Sequence, residues 1–188
     1  SIGLDGSPRE AMVDPVGMLT PRAWGWSIQP WLKLGSDVLT PPRMDGIRQE
    51  LLRGTWAAVR TSWRADGVLW RWDWEAVELG GEEGMLLDME IANRSGRRLD
   101  AEIGIALRPC NVLSIGHINS LSIRDRVWKV NGKVALLLLD APGRNVVSDR
   151  HHGDPLRDAG AGLGLPSLRS RSGIATGVSS WEIGRAHV

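Results

Sequence analysis

The chain of 188 residues contains neither Phe nor Tyr, and its aromatic content is carried by ten Trp. It has one cysteine, Cys110, which has no second cysteine to bridge with, so nothing demands an oxidising compartment and a cytoplasmic setting is the expectation. Lysine is nearly absent, and arginine supplies most of the 23 basic residues, a bias that suggests a GC-rich source but does not explain the missing Phe and Tyr. Neither sign of charge dominates. The net charge is +1 with acids and bases interleaved, so the basic face of a nucleic-acid binder is missing. No apolar run reaches the roughly 18 residues of a membrane helix. The longest, Val134 to Leu139, has the length of a strand.

The two ends read as those of a fragment. The first residue is Ser1 rather than Met, and no signal segment follows it. The last seven residues, EIGRAHV (182–188), match an in-frame translation of a sequencing adapter, GAG ATC GGA AGA GCA CAC GTC. Residues 182–188 are therefore expected to be an assembly tail outside the fold, as in a metagenomic fragment, and 1–181 a single domain.

What the chain has in quantity is alternation with period two. In 55–79 two extended runs flank Ala65-Asp66-Gly67, and Asp-Gly is a strong hairpin signal. Val68, Trp70, Trp72, Trp74 and Ala76 share one face of the second run, while Leu69, Arg71, Asp73, Glu75 and Val77 share the other. The runs 84–93 and 99–109 flank RSGRR and read as a meander pair. Residues 120–125 make a short strand, 126–140 a hairpin turning on Asn131-Gly132, and 144–149 a further strand. A strand is also expected at 174–181. Helical signal is confined to one short turn within 41–54, with Ile47, Leu51 and Leu52 on a face. The first forty residues read as loops and short strands, and 158–173 as a glycine-rich loop. The fold class implied is all-β: an antiparallel β-sandwich, supersandwich-like and truncated, with little helix.

Three constellations have chemical potential. The Trp row is the first. Indole faces stack on sugar rings, so Trp70, Trp72 and Trp74 could form a saccharide platform, but with no other large aromatic available, filling the core is the favoured role. Asp73, on the opposite face, is then the better polar contact. The second is SDRHHGDP (148–155), in which His151, His152 and Asp154 could contact a ligand. Adjacent histidines on a strand point to opposite faces, so joint metal ligation is disfavoured and a polar loop is preferred. The third is Arg108, ending a strand before Pro109, where its guanidinium either braces a loop through carbonyls, the favoured role, or holds a carboxylate. No carboxylate pair, GxSxG, P-loop or Cys–His metal spacing stands out, so no catalytic residue, metal or cofactor is assigned.

The segments DGSPRE (5–10), LTPRAWGWSIQPWL (19–32), EIANRSGRRLDAEIGIALRPCN (90–111), WKVNG (128–132) and SDRHHGD (148–154) resemble the N-terminal β-sandwich region of bacterial glycogen-debranching-like and glucoamylase-like glycoside hydrolases. Cys110 stands where that pattern suggests Tyr, and Trp26 where Phe or Tyr is usual. The resemblance implies a non-catalytic domain of a carbohydrate-active enzyme. Its partner would be a downstream (α/α)6 barrel of the same parent chain, holding the catalytic carboxylates. Two alternatives stay open: a free-standing carbohydrate-binding module that takes oligosaccharide on the Trp face, and a structural or adhesive β-domain without sugar affinity. Burial of the three Trp side chains would count against the platform.

Overall fold

A computed structural model describes residues 2–8, 10–21, 25–52, 58–110, 115–149, 151, 153–156, 169–170 and 175–183. In chain order the first strands are β1 (Ile2–Gly3), β2 (Glu10–Val13), β3 (Leu19–Pro21), β4 (Ser27–Leu34) and β5 (Asp37–Leu39). A 3-10 turn at Pro41–Arg43 precedes β6 (Arg48–Leu52), β7 (Ala58–Ala65), β8 (Val68–Leu79) and β9 (Glu82–Asn93). The remainder are β10 (Ala101–Arg108), β11 (Leu121–Arg124), β12 (Val127–Val130), β13 (Lys133–Leu137), β14 (Arg144–Asp149), β15 (Arg169–Ser170) and β16 (Ala175–Ile183).

The strands form three antiparallel sheets. The largest runs β1-β2-β3-β4-β10-β16-β14, with β5 added on β4; the second runs β6-β7-β8-β9 and the third β13-β12-β11-β15. The protein is all-β and sandwich-like, as its alternation implies. A single apolar core joins the sheets. Ile28, Leu32, Ile105 and Leu107 of the large sheet meet Trp70, Trp72 and Trp74 of the second and Leu121, Ile123 and Trp128 of the third. The other face of the large sheet holds a smaller cluster of Trp31, Ala106, Leu156 and Val178. Gly104 makes room for that indole: a Cβ there would lie 2.5 Å from Trp31 Cε2 and 2.4 Å from Ser179 O.

Turn chemistry fixes the hairpins. Asp66-Gly67, Gly80-Gly81 and Asn131-Gly132 all have positive φ at both residues, which is the type I′ geometry that matches strand twist. The first and third were legible as dipeptides; Gly80-Gly81 closes the β8–β9 hairpin and was not anticipated.

Two expectations are corrected. The 84–93 and 99–109 runs do not pair. β9 pairs β8, whereas β10 lies between β4 and β16. The reason is burial on both faces: Gly104 to Leu107 are buried without interruption, which suits a central strand rather than the end of a meander. The short helical turn expected within 41–54 is confined to Pro41–Arg43, and Ile47, Leu51 and Leu52 do not form its apolar face, because Arg48–Leu52 pair with β7 and Leu51 is 76% exposed. At the other end, β16 continues through Glu182 and Ile183, the first two residues of the adapter-like segment, which pair with Glu102 and Ala101. The rest of that segment, and 158–168 and 171–173 of the glycine-rich loop, lie outside the described residues.

Candidate functional site

The alternation in β8 is realised as read. Trp70, Trp72 and Trp74 point into the core and are 0%, 0% and 1% exposed. The rings of Trp70 and Trp72 lie 4.2 Å apart at 37°. With no exposed indole face, these side chains offer a sugar ring nothing to stack on, and the platform role is set aside for a packing role. Large aromatic area is consumed in joining two sheets.

The row is anchored from the β2–β3 turn. Trp72 Nε1 and Trp74 Nε1 both donate to Gly17 O, at 3.1 and 2.9 Å. Gly17 sits at φ +79°, and a Cβ on it would fall 2.3 Å from Trp72 Nε1 and 2.6 Å from Thr61 Oγ1. The turn is held by Asp14, whose Oδ1 accepts from Val16 N at 3.0 Å and Met18 N at 2.8 Å. Gln49 Nε2 donates to Asp14 O at 2.8 Å and Thr61 Oγ1 at 3.2 Å, tying edge strand β6 to the same knot. Burial pushes the Asp14 carboxyl above its ordinary value, although the N–H groups of Met18, Val16 and Gly17 oppose it. This polar knot was missed from sequence. Its one signal was Asp14-Pro15-Val16-Gly17, a turn tetrapeptide with Pro at the second position.

On the outward face of β8, Asp73 is engaged by Arg60 across the β7–β8 pair. Arg60 Nε lies 2.9 Å from Oδ1 and Nη2 2.6 Å from Oδ2, a forked ion pair that raises the arginine's affinity for its proton. Arg71 Nη2 pairs with Glu90 Oε2 across the β8–β9 pair. Asp73, read as a ligand contact, is thus committed to a cross-strand pair.

The 148–155 segment follows β14 in the large sheet, away from β8 in the topology. Asp154 Oδ1 accepts from Arg108 Nη1 at 2.6 Å and from Leu156 N at 3.0 Å. Among the described residues Arg108 therefore holds a carboxylate rather than carbonyls, correcting the favoured role; the effect is still to tie Asp154 to the end of β10. His151 is exposed in a turn, and its backbone N–H reaches Asp149 Oδ1 at 2.9 Å. His152 lies outside the described residues. Cys110 is half-buried beside this pair, and burial pushes its thiol up, with Arg108 opposing and Asp154 reinforcing. Its carbonyl accepts from Ser27 Oγ at 2.6 Å.

The sequence candidates are therefore not brought together. The Trp row is interior, Asp73 is on the opposite face of that sheet, and His151 and Asp154 lie past the end of β14, a strand of the large sheet. Among the described residues no group of three His, Cys, Asp or Glu side chains is placed to hold a metal ion. A shallow depression lined by Ser122, Arg124, Asp125, Val127, Lys129 and Val134 contains none of them. No protein-family model, curated protein or solved structure matches the chain.

Proposed function

We propose that this chain is a non-catalytic β-sandwich domain of a carbohydrate-active enzyme, packing against and supporting a catalytic (α/α)6 barrel in the same parent polypeptide. The sequence resemblance supplies the parent family. The observation that carries the non-catalytic role is the use made of the residues best suited to sugar chemistry. Trp70, Trp72 and Trp74 are buried, and Asp73 and Asp154 are bound to Arg60 and Arg108. A free-standing sugar-binding module loses its platform for the same reason.

The test is the parent locus and its product. On this reading the parent gene also encodes repeated amphipathic helices with two acids in helix-end loops. The full polypeptide cleaves a glucan, and the isolated chain cleaves none. A parent frame without such helices, or glycoside turnover by the isolated chain, would overturn the reading.

A further inference from the structure

The second sheet ends in an edge that differs from the others. β9 is twelve residues long, has β8 as its one strand neighbour among the described residues, and pairs with it in unbroken register from Val68↔Asn93 to Leu79↔Glu82. Natural edges are usually protected by shortness, a bulge or a proline. β6, the opposite edge, has five residues, and the edge pair β12–β13 has a register shift at Trp128/Lys129. β9 has none of these three devices, and the charges it carries instead, at Glu82, Glu83, Asp88 and Glu90, are all of one sign.

The turn geometry says which backbone groups that edge presents. Across a two-residue type I′ turn, the flanking residues Leu79 and Glu82 form a hydrogen-bonded pair, and such pairs alternate along the ladder. The far end agrees, since Arg94 N donates to Gly67 O at 2.6 Å, in step with that alternation. The N–H and C=O groups of Met85, Leu87, Met89 and Ile91 consequently face away from β8. Their side chains lie on the core side and are only half-buried, whereas Trp70, Trp72, Trp74 and Ala76, directly opposite on β8, are buried. The apolar layer stops short at the same edge where the ladder does.

The charged outward side chains of β9, Glu82, Asp88 and Glu90, are all acidic, with Leu86 and Ala92 on the same face. Glu90 is matched by Arg71, but Asp88 stands directly opposite Asp73, whose cation is Arg60 on the far side. Asp88 has no hydrogen bond or ion pair of its own among the described residues. Pairing β9 with a second copy of itself would bring together two strands that each carry four acids and no base. That disfavours self-association.

We propose that the β9 edge is a docking site for a strand of another polypeptide, one that alternates apolar and basic residues. The incoming strand continues the ladder on Met85, Leu87, Met89 and Ile91. Its apolar side chains complete the layer above them, and its basic side chains lie beside Asp88 and Glu90. This is β-augmentation, in which backbone pairing supplies attachment and alternate side chains supply selectivity. It stands independently of the carbohydrate reading.

The probe is a capped synthetic peptide of about eight residues, long enough for a typical strand, alternating Lys and Val, with a Glu-for-Lys peptide as its control. Binding to the full chain is followed by amide hydrogen exchange. The Lys peptide is expected to slow exchange at Met85, Leu87, Met89 and Ile91, more weakly in high salt. Asp88→Lys, which relieves the Asp73 repulsion and so keeps the fold, is expected to weaken binding by about two- to fivefold. Leu87→Pro, which removes an outward N–H, should abolish it. Unchanged exchange along β9, equal binding of the Glu peptide, or indifference to Asp88→Lys would overturn the proposal. So would a concentration-dependent dimer that protects the same amides without peptide.

Discussion

Trp72 donates its indole N–H to the carbonyl oxygen of Gly17, 55 residues earlier in the chain, at 3.1 Å. Trp74 uses the same oxygen at 2.9 Å, so one turn carbonyl satisfies two buried donors of the central Trp row. A buried donor without a partner costs about 1–3 kcal/mol, which makes the β2–β3 turn part of the core's hydrogen bonding rather than a surface connection.

Gly17→Ala should therefore be costly. The left-handed backbone costs an L-residue about 1–2 kcal/mol, and the new Cβ would overlap the indole, adding about 1–3 kcal/mol. Urea unfolding should show a loss of about 2–5 kcal/mol, against a few tenths for a surface glycine such as Gly35, where Cβ meets nothing, beyond its shared φ penalty.

Trp74→Ala removes a fully buried indole and is expected to cost about 3–5 kcal/mol or prevent folding. Trp74→Phe keeps most of the volume and loses the N–H, and Gly17 O retains Trp72. Its expected cost is about 1–2 kcal/mol in the same urea assay.

The buried carboxyl of Asp14 predicts a pH dependence of defined sign. Its folded value lies above the ordinary 3.8 because burial outweighs the turn's N–H donors. A carboxyl raised on folding favours the folded state most when protonated. Its contribution is present below the unfolded value and is lost as pH climbs through the folded one. Asp14→Asn keeps an acceptor oxygen and removes the titration. Unfolding free energy followed from pH 3.8 upward should fall less steeply in Asp14→Asn than in the wild type.

Across β7, β8 and β9 the row Arg60, Asp73, Asp88 has one cation for two acids. Arg60→Ala should cost more than Asp73→Ala, because it leaves two carboxylates face to face. Asp88→Lys should stabilise by about 0.2–1 kcal/mol at low salt and by less at high salt. Thermal unfolding at two ionic strengths measures both.

Local rules carried the sequence reading a long way. Asp66-Gly67 and Asn131-Gly132 placed two hairpins, and period-two alternation put Trp70, Trp72 and Trp74 on a common face turned toward the core. Pairing between distant strands was not legible. β10 follows β9 closely, yet it joins β4 and β16, and nothing in its own alternation names those partners. The Asp14–Gly17 knot was hidden for a similar reason: its hydrogen-bond partners Gln49, Trp72 and Trp74 lie 35, 55 and 57 positions away along the chain. Asp73 and Asp154 were recognised as polar residues of interest, but their commitment to Arg60 and Arg108 depends on register and loop path. Alternation says which face a side chain takes, not which neighbour it meets there.

The central claim is that the Trp row is interior structure rather than a ligand surface. The most direct measurement is exchange of the indole Nε1 protons of Trp72 and Trp74 by NMR, before and during titration with linear glucan oligosaccharides. Slow exchange and unchanged indole shifts at every sugar concentration are the predicted result. Rapid exchange, or a saturable shift of those two resonances with any oligosaccharide, would contradict it.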